Sequence, residues 1–404
     1  MLREDVGKYN RGAVYDFFVP WLGHGLLTSD GEEWKWRRKL LSPVFSDAKL
    51  RNYVPLLHRV SDRLMAKYEA RVNDANAFDL AQDMRAFTLD TVGLVALGFD
   101  FHAQEAEEFH ERISQSFLTA LHLQQLRLRN PLLPYPVYRL TAEGRQMEET
   151  SKILREETGK VIDSIRERAE AGEQDALFSL LYQVMDARDD DYNLRYSREQ
   201  LIDDILTLLF AGSETTSSLF TFGFYELARH PELEAELLEE IRQVTGPSGD
   251  VTYANVQQMT KLNNFLKETL RVYSPVPGVG KRTSCPVMIG EVPVEADTDV
   301  DLNLAAVHVD PRYWKCPHAF DPSRFAPENA AERPDNAWTP FASGRRSCIG
   351  RGLAMLESAV TFARVLPKWH IELDASRDQD TLPLVTRVTT LCPNGVWAYA
   401  RKRE

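Results

Sequence analysis

The 404-residue chain carries 48 Lys and Arg against 60 Asp and Glu, a net charge of −12. That excess argues against a nucleic-acid partner, because phosphate binding wants a basic face. Hydrophobic residues make up 43% and charged residues 27%, enough to bury a sizeable globular core. No run of about 18 uncharged apolar residues encodes a transmembrane helix, and the charged opening MLREDVGKYNRGAVYDFF lacks the apolar centre of a signal peptide. The cysteines Cys285, Cys316, Cys348 and Cys392 show no paired spacing, which points to reduced thiols rather than a disulfide framework or a zinc site.

Taken in chain order, the first two thirds reads mostly as helix. Residues 78–98, FDLAQDMRAFTLDTVGLVALG, place apolar side chains at helical spacing, and residues 144–171 form a charged amphipathic helix. Ser197 with Gln200 fits a capping box, and the helix it opens runs to His230. Its middle is apolar on nearly all sides, so it lies inside the protein. At about 1.5 Å per residue it crosses the whole molecule. A further helix starts with Pro231 and ends near Thr245-Gly246; another, LNNFLKETLRVY, stops before Ser274-Pro275. Beyond that point short β-prone runs, 286–289 and 299–304, alternate with Pro and Gly. Residues 384–390 and 396–400 are expected to pair as a hairpin across Cys392-Pro393-Asn394-Gly395. The reading is mainly α with minor β: one large helical domain over 1–404 with small sheets.

The segment Phe341-Ala342-Ser343-Gly344-Arg345-Arg346-Ser347-Cys348-Ile349-Gly350 follows a turn-rich stretch and precedes an apolar helix. Cys348 therefore sits at a helix N-terminus, where unpaired N–H groups and the positive dipole end favour thiolate over thiol. Arg345 and Arg346 act in the same direction. Gly344 and Gly350 allow positive φ and a close approach of the backbone to a flat ligand. A lone cysteine is usually a small core hydrophobe. Cys285, Cys316 and Cys392 take that reading. Cys348 does not, because Phe, Gly, Arg, Cys and Gly all stand at the offsets FxxGxRxCxG. In this the chain resembles the cytochrome P450 family of haem-thiolate monooxygenases. The resemblance implies the P450 fold, Cys348 as the axial ligand of haem b, Phe341 packed on the ligand loop and Arg346 paired with a propionate.

Within the long buried helix stands Ala211-Gly212-Ser213-Glu214-Thr215-Thr216. On chemistry alone, Thr215 could bond back to the Ala211 carbonyl and Glu214 could find one buried basic partner. Equally, Gly212 could leave room for a small ligand while Glu214 and Thr215 carry protons into a dry pocket. The pattern resembles the family's AGx(D/E)TT segment. That implies Ala211 over the haem, Thr215 hydrogen-bonding dioxygen and Glu214 relaying protons. Glu268 and Arg271 share a helix face; as an exposed pair they would contribute little. The family's ExxR signature, closed by an Arg in its PxRF element, makes Glu268, Arg271 and Arg324 a buried structural network instead. Trp34 and Arg38 match the family's WxxxR and would reach propionates, as would Arg282. His308 reads as a satisfied loop histidine.

The resemblance also implies partners: dioxygen, a small lipophilic substrate and an external electron donor, an NADPH-dependent reductase or a ferredoxin. No flavin, nicotinamide or iron–sulfur motif is found in the chain. The donor's expected docking face is Arg345, Arg346 and Arg351. The substrate pocket is expected to be lined by Ala211 and its neighbours, 275–279 and 387–390. Residues 20–23 through 41–43 look like the eukaryotic-type branches, which suggests a fatty acid. A monomer is expected, facing the cytosol: on the endoplasmic-reticulum membrane if a family anchor precedes this chain, cytoplasmic otherwise. The family normally has some dozens of residues before this point. Ala296-Asp297 replaces the family's usual Lys-Gly, and Ser274 a common Pro. Two other classes stay open, a hydroperoxide isomerase or dehydratase needing no outside electrons and a non-enzymatic haem carrier.

Overall fold

In the computed structural model, which describes residues 7–105, 108–173, 180–185, 196–330, 333–386 and 388–403, the helical periodicities become a series of long helices. They are α1 (Gly31–Leu41), α2 (Asp47–Ala70), α3 (Leu80–Val92), α4 (Glu108–Arg127), α5 (Ala142–Glu170), α6 (Arg198–Arg229), α7 (Pro231–Thr245), α8 (Thr260–Val272) and α9 (Arg351–Val365). The strands are β1 (Tyr9–Arg11), β2 (Phe78–Asp79), β3 (Gly278–Thr283), β4 (Val287–Ile289), β5 (Val292–Val294), β6 (Asp299–Asn303), β7 (Trp369–Leu373), β8 (Val385–Thr386), β9 (Thr390–Leu391) and β10 (Trp397–Lys402). They form sheets β1-β3-β6 and β2-β10-β7 and the pairs β4-β5 and β8-β9. With 59% of the chain helical, the mainly-α reading stands. The first six residues of the charged opening, and Arg387, lie outside the described residues. Among the described residues no helix is long and apolar enough to cross a membrane.

Packing groups the chain into two compact units, each assembled from three separated stretches: 1–44, 92–211 and 279–302 in the first, 45–91, 212–278 and 303–404 in the second. In the first, α4 packs along α5. Fully buried Trp21 sets its ring edge-on to Phe117 and Phe210, with centroids 5.8 and 5.5 Å away. The expected capping box opens α6: the Ser197 N–H donates to Gln200 Oε1 (2.9 Å) and the Gln200 N–H to Ser197 Oγ (3.3 Å). A loop is pinned to this helix by the His24 and Leu26 N–H groups, which donate to Asp203 and Asp204 at 2.9 and 2.6 Å. The approach is so close that a Cβ on Gly23 (φ +66°) would stand 2.0 Å from Asp203 Oδ1. Asp204 also accepts from buried Arg37 (2.6 Å) and from the Tyr196 hydroxyl (2.8 Å). Burial pushes its carboxyl upward and Arg37 opposes that shift.

In the second unit α9 is the buried hub. Its Phe362 meets Phe220 and Phe224 of α6 and Phe265 of α8, with ring centroids 5.6, 4.5 and 5.5 Å apart. Gly223 is needed for this contact, since a Cβ there would come within 2.7 Å of the Phe362 ring. Beside it, Glu268 and Arg271 are fully desolvated and joined twice, at 2.7 and 2.8 Å. Arg271 also donates to the His308, Pro317 and Ala319 carbonyls, and Arg324 approaches Glu268 to 3.3 Å. The fully buried His308 accepts the Thr339 N–H at Nε2 (2.9 Å), so its ring proton is on Nδ1, facing Ser274 Oγ at 2.6 Å. Ser274 in turn donates to the Leu270 carbonyl (3.1 Å). A proline at 274 could not close that chain.

Two expectations are corrected. Among the described residues, 384–390 and 396–400 do not pair. Val385–Thr386 pairs with Thr390–Leu391 as β8-β9, while β10 aligns with β7 from Ala398↔Leu373 to Lys402↔Trp369 and with β2. The turn at Gly395 forms (φ +74°), but it docks on Asp79, which accepts the Val396 N–H (3.2 Å). Strand β7 also offers five consecutive partners and buries Trp369 and Ile371 beside Ala398 and Ala400, which outweighs the local hairpin. Likewise 78–98 is not one α-helix. It opens as strand β2 and ends in a wide π turn over Gly93–Leu97, because Phe101 occupies the space where a Cβ on Gly93 would be.

Glu268→Gln leaves two buried guanidinium groups without their charge partner and is expected to lower stability by about 3–5 kcal/mol, read as a shift in the urea midpoint. A loss below about 1 kcal/mol would show that Glu268 is dispensable. Burial, with Arg271 nearby, lowers the His308 pKa from 6.5 to about 4. The unfolded imidazole binds a proton near pH 6.5 and the folded one does not, so this contribution is complete above pH 6.5 and lost as pH falls toward 4. The decline amounts to up to about 3 kcal/mol, and His308→Gln is expected to flatten it in unfolding curves measured across that window.

Candidate active site

Helix α9 starts at Arg351 with Gly350 as its N-cap, so Cys348 stands two residues ahead of the cap. Gly350 has φ −87°, so it does not use the positive φ that its type allows. The left-handed positions are Gly344 (+79°) and Ala342 (+54°). An alanine there carries strain of roughly 1–2 kcal/mol, which the surrounding hydrogen bonds must hold. Those bonds are Ala342 N–H to Thr339 (3.0 Å), Ser347 N–H to Gly344 (3.1 Å) and Cys348 N–H to the Phe341 carbonyl (2.9 Å). They fix the backbone while the Cys348 thiol stays exposed. A Cβ on Gly350 would lie 3.9 Å from its sulfur, so the glycine keeps that flank open. Arg351 stacks over Phe341 and Trp338 at 5.7 and 5.9 Å; Arg345 is exposed and Arg346 half-buried. None of the four cysteines is in a disulfide, and buried Cys392 donates to the Gly395 carbonyl. Among the described residues no His, Cys, Asp and Glu cluster forms a separate metal site.

The middle of α6 is buried except along one strip. Ala211 is exposed and Gly212 and Thr215 are half-buried, whereas Phe210, Ser213, Glu214 and Thr216 are buried. Residues 211 and 215 are one turn apart, so the accessible strip is a single face carrying small residues and a hydroxyl. Beside it Glu214 takes the basic partner that a buried carboxylate needs: Arg85 Nε is 3.3 Å away. Burial pushes the Glu214 carboxyl upward, opposed by Arg85 and by a hydrogen bond with Thr389. Because Arg85 keeps 29% of its side chain exposed, the pair runs from solvent to the interior of the helix. Thr88, one turn along α3 from Arg85, donates to the Ser213 carbonyl (3.0 Å). The tail is tied to the same place: Ser218 Oγ donates to the Thr390 carbonyl (3.1 Å), and Thr390 donates to Pro275 (2.9 Å) and Ser274 (2.7 Å). Arg85 and Thr389 belong to no motif. A lone arginine on the apolar 78–98 helix was the one available signal.

In the first unit Trp34 is buried and Arg38, one turn on, is half-buried; the intervening Arg37 belongs to Asp204. Strand β3 alternates, which decides between its two cations. Lys281 is 6% exposed, whereas Arg282 turns outward and pairs with Asp299 across the sheet at 2.8 Å.

The family model for cytochrome P450 matches residues 2–394. Cytochrome P450 4A6 of Oryctolagus cuniculus is 32% identical over 404 residues, covering 96% of this chain and 76% of that protein. Cytochrome P450 4B1 of Rattus norvegicus is 30% identical, covering 97% and 78%. The crystal structure of the heme domain of cytochrome P450DA superposes with a TM-score of 0.86 at 26% identity, covering 99% of this chain and 85% of that one. With the Cys348 loop and the α6 strip in place, these matches establish that the chain belongs to the cytochrome P450 family.

Proposed function

We propose that this cytochrome P450 hydroxylates a long-chain aliphatic acid, with Cys348 as the iron ligand and Glu214 and Thr215 as the proton route. The family's cofactor is thiolate-ligated haem b, which supplies reductive activation of dioxygen and transfer of one oxygen atom to a C–H bond. The residues present suit it. The thiol of Cys348 is exposed on a loop fixed by three backbone hydrogen bonds, and the Gly350 flank is open. Ala211 and Gly212 present a small-residue face to a flat ring. In the first unit, Trp34, Arg38 and Lys281 offer the donors that propionates take. Arg346 does so in the second. Arg282 pairs with Asp299 across the sheet, whereas Lys281 is the buried cation of this strand.

The observation that carries the reading is the buried Glu214–Arg85 pair beside the accessible strip of α6. Burial lets Glu214 keep its proton at a pH where an ordinary glutamate has lost it. The partly exposed Arg85 side is where that carboxyl regains a proton from solvent. Thr215 is the next residue, on the accessible face, so its hydroxyl can pass the proton onward. A hydroperoxide isomerase would have no use for this route. For the substrate, support comes from the 20–43 segment, which resembles the branches that include fatty-acid hydroxylases. The family generally draws its electrons from an external redox partner. Exposed Arg345 and Arg351 give an acidic chain a local positive face on which a reductase or ferredoxin can dock, an attraction that salt would weaken.

Two measurements test this. Holoenzyme supplied with dodecanoate, a reductase, NADPH and isotopically labelled dioxygen is expected to release a hydroxy acid carrying one labelled oxygen. Label-free product, or no turnover of any saturated acid across a length series, would reject the reading. Glu214→Gln is expected to lower turnover by about a hundredfold and to waste dioxygen without product. In the wild type, activity falls on the alkaline side as Glu214 loses its proton. That limb disappears in the variant. An unchanged pH profile with full coupling would remove Glu214 from the route.

A further inference from the structure

The last turn of α4 presents an arrangement that the oxygen chemistry does not use. Arg127 is 6% exposed, and among the described residues no carboxylate pairs with it. Its terminal nitrogens donate to the Asn130 and Leu133 carbonyls, and its guanidinium lies 4.7 and 4.9 Å from the Phe17 and Tyr138 ring centroids. Its Nε has no hydrogen-bond partner. One turn earlier, Gln124 is fully buried with both amide atoms unpartnered, and the hydroxyl of buried Tyr138 is unpartnered too. Each such group loses about 1–3 kcal/mol if left dry, and a cation more. Burial lowers the Arg127 pKa, opposed by the neighbouring Tyr138 phenol.

All three side chains line one cavity of about 260 Å³, whose other walls include Phe17, Leu133 and Met147. That is less than the roughly 300–1,000 Å³ that encloses a whole drug-sized ligand, so it suits the end of a longer molecule. Each of these three lining residues brings one unpartnered donor: Arg127 Nε–H, the Gln124 amide N–H and the Tyr138 O–H. A carboxylate has two oxygens to accept them, in the planar geometry that guanidinium and amide groups match. Leu132, 94% exposed, also lines the cavity and gives an apolar tail a surface to follow. The Asp16 carboxylate lines it as well but is exposed, which leaves the buried end as the place for an anion.

We infer that this cavity holds the carboxylate of a long-chain aliphatic acid on Arg127, Gln124 and Tyr138. Identifying that acid as the substrate rests on the hydroxylase reading above. The test is calorimetric binding to the holoenzyme, with dodecanoate, methyl dodecanoate and dodecyl phosphate as probes. Wild type is expected to prefer the acid over the ester by about tenfold or more. Arg127→Met abolishes that preference. Because Arg127 also braces residues 130–133, Gln124→Leu and Tyr138→Phe serve as variants that leave the brace intact. Each is expected to weaken the acid by about threefold to tenfold while the ester binds as before. Equal affinity for acid and ester in the wild type, a preference that survives all three substitutions, or tighter binding of the phosphate would overturn the inference. An acid preference without dioxygen-dependent hydroxylation would support the cavity and reject only the substrate reading.

Discussion

A cysteine sulfur can act as a metal ligand only if the chain presents it exposed and holds it still, two demands that pull against each other. Exposed residues belong to loops, and loops move. Here the conflict is met in the ten residues before α9. Three backbone hydrogen bonds and a left-handed Ala342 and Gly344 fold the loop tightly enough that Cys348 stays accessible on a fixed backbone. The strain at Ala342 is tolerable because α9 itself does not yield. Phe362 locks it against α6 and α8 through three aromatic contacts, and Gly223 makes room for them.

The polar groups of this interior follow a consistent logic. Glu268 is joined twice to Arg271 and approached by Arg324, an arrangement that braces the helices around it. His308 is likewise satisfied at both ring nitrogens and kept neutral. Glu214 differs. It has one cationic partner, partly exposed, and a carboxyl whose charge burial disfavours. A carboxyl raised by burial and linked toward solvent by a cation is the kind of group that the proposed proton route needs. Desolvation thus accompanies a closed hydrogen-bonded brace in one place and a carboxyl with a single, partly exposed cationic partner in another.

Much of the site was legible because its chemistry needs particular side chains at fixed offsets. The Cys348 loop, the 211–216 segment, Glu268 with Arg271 and the Ser197–Gln200 cap are all local patterns. What escaped depends on partners far away in sequence. Arg85 meets Glu214 from another helix, and β10 prefers β7 and β2 to its neighbouring segment. Parity within a strand decided Lys281 over Arg282 as the buried cation, a one-residue distinction that composition does not carry. Gly344 took the positive φ that its type suggested. Gly350 did not, and Ala342 took one unannounced. The Arg127 cavity has no motif, being made by the end of one helix and a loop folding back on it.

The central claim is that the sulfur of Cys348 binds the haem iron. The absorption spectrum of the reduced, carbon-monoxide-bound protein tests it most directly, comparing the wild type with single alanine replacements of each cysteine. The thiolate-type band is expected in the wild type and in Cys285→Ala, Cys316→Ala and Cys392→Ala, and is expected to vanish in Cys348→Ala. A Cys348→Ala protein that keeps the band would contradict the account.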